Sequence, residues 1–333
     1  MRNDFVSNLS RKACAAAALA LALTSVSAGF GLAQSSYPSR PVSLIVGYPP
    51  GSSSDTLARA IGEKMAASMG QPVVVESKSG GSGNLGTGFV ARSAPDGYTL
   101  LLSTDNPITT NVHLFKELGF DPIKDFTPIS IAASNVIVVV GAPNFPPNTL
   151  QEVIAYAKAN PGKVTFATSG IGSPHHLIGE SIKTKSGTDI VHAPYRGGGP
   201  ALADVLGGHV PMGIVSLSAA LPYIGTDKLK IYAISEPERY PSIPNIPTIA
   251  ETFPGFFLKS WLGFMVPAAT PADIVAKLNK EVIKALKDPE VVKRLTAMGL
   301  TPVGNSVDEA KKMIAEDLKI RGDIVKAANL PRQ

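Results

Sequence analysis

From residue 42 onward the chain alternates short apolar runs with longer amphipathic ones, and this alternation restricts it to a narrow set of folds. Residues 42–47 (VSLIVG) predict a buried strand, and a Pro/Gly/Ser turn leads from it into a helix over about 55–69. Leu57, Ile61 and Met65 recur every four residues on that helix, and Gly70 ends it. Val73 to Val75 predicts the next strand, then come a Gly-rich loop, a short helix near 85–93 and a strand from Tyr98 to Leu102. After a loop holding Pro107, Pro122 and Pro128, residues 129–141 predict one or two strands. Helices are expected at 149–159, 174–186 and 200–206, between strands at 164–168, 190–192, 210–215 and 229–234. Beyond a Pro-punctuated loop at 237–254, a strand at 261–266 precedes helices at 271–287, 289–298 and from about 307. Repeated βαβ units of this kind imply an α/β fold with mainly parallel sheets and helices on both faces. At 333 residues the length suits about two domains. Trp261 and Phe264 read as core.

The first 33 residues read as an address. Arg2, Arg11 and Lys12 form a basic start, and Ala13 to Ala28 is an uncharged, almost unbroken apolar run. Gly31 and Ala33 stand at −3 and −1 before Gln34, with Ala28 as the second cleavage choice. This predicts a Sec-type signal peptide and an exported protein working in a bacterial periplasm. The single cysteine, Cys14, lacks a lipoprotein context and leaves with the leader, so disulfides, zinc–cysteine sites and iron–sulfur clusters are excluded. The whole chain carries a formal charge of +5, and the leader removes three bases and one acid. The remaining mild positive balance has no clustered Lys/Arg footprint for nucleic acid.

Three polar, glycine-rich turns lead from a strand into a helix: Tyr48-Pro49-Pro50-Gly51-Ser52-Ser53-Ser54-Asp55, Thr168-Ser169-Gly170-Ile171-Gly172-Ser173-Pro174, and Pro194-Tyr195-Arg196-Gly197-Gly198-Gly199-Pro200. A helix N-terminus presents unpaired N–H groups at the positive end of the macrodipole. In the first turn the serines either bind an anion there or serve as the cap, with Ser54 or Asp55 satisfying the first turn. Three such turns in one chain point to an anion held by helix N-termini.

Other chemistries fit less well. Gly81-Ser82-Gly83-Asn84-Leu85-Gly86 matches a dinucleotide fingerprint, with Asp105 about twenty residues on, but four residues separate the strand from the first Gly. Asp105 reads instead as a loop or capping residue that could meet an ammonium group if it faces a pocket. His175 and His176 are adjacent and cannot share a helix face as metal ligands, while His192 and His209 lie elsewhere. No G-x-S-x-G elbow is present. No metal, cofactor or catalytic residue is expected.

The motifs also carry a resemblance. Arg40-Pro41-Val42 leading to Tyr48-Pro49-Pro50-Gly51-Ser52 and Asp55, then Gly83-Asn84-Leu85-Gly86 and Ala94-Pro95-Asp96-Gly97-Tyr98-Thr99-Leu100, occur in order along the chain. Asp125-Phe126-Thr127-Pro128, Phe166-Ala167-Thr168-Ser169-Gly170, Pro194-Tyr195-Arg196-Gly197-Gly198-Gly199 and Ile246-Pro247-Thr248 follow. The chain thereby resembles the Bug family, periplasmic receptors of tripartite tricarboxylate transporters, with Ser52 standing where the family usually has a second Gly. The resemblance implies a two-lobed, type II-like Venus flytrap, with residues 36–135 plus 256–333 in lobe 1 and 136–255 in lobe 2. It implies that a small carboxylate is held by backbone N–H groups and hydroxyls, with Tyr48, Gly51, Ser52, Ser53, Ser103, Thr104, Ser169, Ser173, Tyr195 and Gly198 lining the cleft and Asp55 orienting its loop. Candidate ligands are di- or tricarboxylates, acidic amino acids and aromatic acids. The implied partner is a membrane permease, with a sensor kinase as a variant, and the receptor would be a monomer. The alternative is an exported α/β hydrolase using the same cleft, which would lose turnover on Ser169→Ala.

Overall fold

β1 (Val42–Val46) opens the first sheet with Val42, Leu44, Ile45 and Val46 all fully buried. The computed structural model describes residues 37–256 and 258–332, so the predicted leader and Cys14 lie outside the described residues. α1 (Ser53–Met69) connects β1 to β2 (Val73–Ser77), and α2 (Asn84–Ala91) connects β2 to β3 (Thr99–Thr104). Both crossovers give parallel pairs, with β1 lying between β2 and β3. Beyond β3 a π-helical turn, Asn106–Thr110, runs into the short α3 (Asn111–Leu114) where the sequence predicts loop. Pro107 sits in the first turn, where its missing N–H forfeits no bond.

β4 (Phe126–Asn135) passes through Val136 alone into β5 (Ile137–Gly141), which belongs to the second sheet. That sheet is completed through α4 (Leu150–Ala159), β6 (Thr165–Thr168), α5 (Pro174–Ser186), β7 (Val191–Pro194), α6 (Gly198–Leu206), β8 (Met212–Ser216), α7 (Leu217–Ala220) and β9 (Lys230–Ile234). After α8 (Ile249–Thr252) the chain returns to the first sheet on β10 (Ser260–Pro267). It ends with α9 (Ala272–Leu286), α10 (Pro289–Ala297), β11 (Leu300–Pro302) and α11 (Val307–Ala327). The strand orders are β11-β4-β10-β3-β1-β2 and β7-β6-β8-β5-β9.

The two-sheet α/β architecture agrees with the sequence reading, but the sheets are mixed rather than mainly parallel. β10 runs antiparallel to β3 and β4, β11 to β4, and β5 to β8 and β9. Only strands delivered by a helical crossover within one sheet are parallel. β5 and β10 enter from the other sheet with no such helix, and they run the other way.

Among the described residues, apolar clusters underlie both sheets. Ile45, Leu101, Ile131, Met265 and the predicted core residue Trp261 meet in the first. Phe264 is fully buried as well. The second gathers Val138, Val139, Phe166, Ile178, Ile214 and Tyr232. α11 serves both, because Ala310 and Ile314 join the first cluster and Val325 joins the second. Its start is fixed by a capping box in which Ser306 and Glu309 satisfy each other's backbone N–H groups, a device worth about 1 kcal/mol. Among the described residues no helix is long and apolar enough to cross a membrane.

Candidate functional site

Polar groups collect where strands of both sheets end and helices begin. They enclose a cleft of about 690 Å³, a size suited to a small molecule.

The first turn is held from behind. Ser52, rather than the expected Ser54 or Asp55, is the N-cap of α1, its hydroxyl accepting from the Asp55 N–H at 3.3 Å. Gly51 has φ +81, a left-handed conformation that glycine adopts without cost. Asp55 is buried and accepts from the Gly51 N–H at 2.9 Å and from Arg59 at 3.0 Å, which ties the turn to the helix. Arg59 holds its carboxyl below the ordinary range. Ser53 is exposed at the head of α1, where helix N–H groups have no intrahelical acceptor. The Tyr48 hydroxyl bridges Thr104 Oγ1 at 2.9 Å and the Ser82 carbonyl at 3.1 Å, and burial pushes its pKa up.

The second turn is capped by Ser173, which accepts from the His176 N–H at 3.2 Å and donates to the Gly170 carbonyl at 2.7 Å. Ser169 Oγ lies 2.6 Å from His175 Nδ1. The third turn differs, since its cap, Gly197, has no side chain to occupy the first N–H groups of α6. A Cβ at Gly197, Gly198 or Gly199 would meet nothing within 4 Å. These glycines therefore leave the helix end open instead of permitting close packing. Behind them Tyr195 donates to Asp204.

Of the ten residues expected on the cleft wall, Tyr48, Ser52, Ser53, Thr104, Ser169, Ser173, Tyr195 and Gly198 line it. Gly51 and Ser103 do not. Gly51 shapes the turn from outside. Ser103 is buried with its hydroxyl on the Thr104 carbonyl at 2.8 Å, because neighbouring strand residues face opposite sides and Thr104 takes the cleft side. Asn135, His175, Ser216 and Ser260 line the cleft unpredicted. Their signal in the sequence is positional, as Asn135 and Ser216 end β4 and β8 and Ser260 begins β10.

The charge balance favours an anion. Arg196, exposed on the rim, is the one cation lining the cleft among the described residues, and Asp105 is the one acid. Asp105 is already engaged, with Oδ2 accepting from Arg321 at 2.9 Å and from the Trp261 N–H at 3.2 Å. Burial pushes its carboxyl up while Arg321 pulls it down. Asp105 thus has little left to offer a ligand ammonium group. The G-x-G-x-x-G stretch is packing rather than a phosphate cradle, for a Cβ on Gly86 would lie 2.9 Å from the Gly47 Cα.

The Ser169–His175 contact does not build a nucleophile. The second imidazole nitrogen faces the Ser216 hydroxyl at 3.4 Å rather than a carboxylate, and burial lowers the pKa of His175 to about 4. A base that weak draws little proton density from a serine at neutral pH.

The model of the tripartite tricarboxylate transporter family receptor matches residues 57–330. Protein BugT of Bordetella pertussis is 36% identical over 292 residues, which is 87% of this chain and 90% of BugT. The structure of Rpa4515 of R. palustris with adipate superposes with TM-score 0.81 at 30% identity, covering 89% of this chain and all of that one. MatC from Rhodopseudomonas palustris with bound malate gives 0.76 at 32% identity, covering 87% of this chain and 100% of that one. The architecture is the two-lobed one of periplasmic binding proteins of known structure. The family match over most of the chain and the identity with BugT show that the chain belongs to the tripartite tricarboxylate transporter receptor family of Bug proteins, which are solute-binding receptors and not enzymes.

Proposed function

We propose that the chain is a periplasmic receptor that closes on a small carboxylate in this cleft and delivers it to the permease of a tripartite tricarboxylate transporter. The observation that carries this reading is the convergence of three helix N-termini, one following the first sheet and two the second, on a cavity whose acid is ion-paired. Relatives that hold adipate and malate support the ligand class. In this reading residues 36–135 with 256–333 form one lobe and 136–255 the other, and closure presses α1 toward α5 and α6 around the ligand. Six charge-assisted hydrogen bonds at about 1.5 kcal/mol each would supply roughly 9 kcal/mol before ordering costs. Micromolar binding needs about 8 kcal/mol. The periplasmic placement rests on the leader-like residues 1–33.

The test is a thermal-shift screen of the chain without its leader against mono-, di- and tricarboxylates, followed by calorimetry. A ligand at 100 times its Kd stabilises the fold by about 2.7 kcal/mol. The expected result is 1:1 binding of a carboxylate without turnover. No binding by protein whose cleft mass spectrometry finds empty, or ester hydrolysis lost in Ser169→Ala, would overturn the reading.

A further inference from the structure

A chain of hydrogen bonds crosses from the first sheet to the second and ends in the cleft. Asn135, the last residue of β4, donates from Nδ2 to Ser216 Oγ at 3.0 Å. Ser216 Oγ lies 3.4 Å from His175 Nε2, and His175 Nδ1 lies 2.6 Å from Ser169 Oγ. All four residues line the cleft. A chain of this kind has a direction, because each hydroxyl carries one proton and a neutral imidazole carries one.

The direction follows from the Asn135 end. The amide nitrogen can only donate, so the Ser216 oxygen is the acceptor of that bond. Within the chain the Ser216 proton then has one partner left, His175 Nε2. With Nε2 accepting, the imidazole proton sits on Nδ1 and is donated to Ser169. The Ser169 oxygen accepts it, and its own proton faces the cavity. The opposite direction would place two donors on Ser216 and send its proton out of the chain into the cleft. It would also turn only lone pairs of Ser169 toward the ligand. Burial keeps His175 neutral across the physiological range, which the chain requires.

We propose that Asn135, acting through Ser216 and His175, fixes the Ser169 hydroxyl as a donor into the cleft, and so selects a ligand with an anionic oxygen at that point over one with an ammonium group. Asn135 is then a positioning residue for specificity although it stands at the far end of the chain from Ser169. The ligand side of this inference rests on the receptor reading above, whereas the proton direction does not.

Two measurements separate them. Long-range proton–nitrogen spectra of ligand-free, histidine-labelled protein should show His175 with a protonated Nδ1 and a bare Nε2. Asn135→Asp puts an acceptor opposite Ser216 and should move the proton to Nε2. Calorimetry with the best-binding carboxylate should then show an affinity loss of at least tenfold. Asn135→Ala, which adds no charge, should lose about threefold or more. A wild-type His175 protonated on Nε2 overturns the proposal, and so does an Asn135→Asp protein that binds weakly with its tautomer unchanged. The wild-type spectrum alone decides the proton direction if the Asp variant does not fold. If no carboxylate binds the wild type, the receptor reading fails while the spectra still test the chain.

Discussion

The Arg321 guanidinium donates to Asp105 at 2.9 Å, and neither side chain keeps more than 1% of its surface exposed. The same guanidinium binds Asp317 at 2.7 Å, Thr110 Oγ1 at 2.9 Å and the Lys259 carbonyl at 2.7 Å. Trp261 Nε1 also donates to Asp317, at 2.9 Å. One cation on the last helix therefore neutralises the acid under the cleft and braces the strand that returns from the second sheet.

Replacing that cation strands two buried carboxylates. Arg321→Met is expected to cost about 3–5 kcal/mol, the usual result of removing one member of a buried ionic cluster. Urea unfolding at pH 7.5 measures it. Part of the loss should return near pH 5, where burial helps the stranded Asp105 take up a proton. A variant as stable as the parent at pH 7.5 would show that the cluster contributes nothing.

The cleft-facing placement of the first turn has a direct test. Ser53 is exposed and lines the cavity, so Ser53→Trp should fill the site and leave the fold within about 0.5 kcal/mol of the parent. Calorimetry should find carboxylate binding lost, with an unchanged urea midpoint as the control. Unchanged affinity would remove this turn from the site.

Stability should fall on mild acidification. Burial lowers His175 and His192 from the ordinary 6.5 to about 4. His175 faces only the Ser169 and Ser216 hydroxyls among its bonded partners. His192 lies against Thr168, Phe166 and His176, with Glu180 and Lys183 adding opposed charges. Between about 6.5 and 4 the unfolded chain binds protons that these folded imidazoles refuse. Their contribution is thus complete above the unfolded value and is lost as the pH falls toward the folded one. For the buried His175 the loss amounts to roughly 3 kcal/mol, and for the half-buried His192 it is smaller because water screens it. Urea midpoints from pH 7.5 to 4.5 should decline, and less steeply in His175→Asn. A level profile would contradict the assigned burial effect.

The site was readable in the sequence where local rules govern it. Glycine, serine and proline cluster at the three strand-to-helix turns because glycine takes left-handed or open backbone, serine caps the helix and proline fits its first turn. Strand direction was less readable, since the turn from β4 into β5 is one residue, Val136, and looks like the middle of a single long strand. β11 is three residues long, too short for any alternation to register. Asp317 and Arg321 appear in the sequence as an ordinary i, i+4 helix pair of the kind that usually faces water. Nothing local announces that Arg321 instead meets Asp105, 216 residues earlier.

The division of α11 between two apolar clusters bears on how the molecule comes into being. Ribosomes deliver a chain from its N-terminus, so Ala310, Ile314 and Val325 appear after every strand of both sheets. Until then each sheet core lacks the side chains this helix supplies, however much of its own sequence is in place. Completion of the two cores is thereby coupled to one helix that follows all of their strands, unlike a fold in which each sheet finishes on its own sequence.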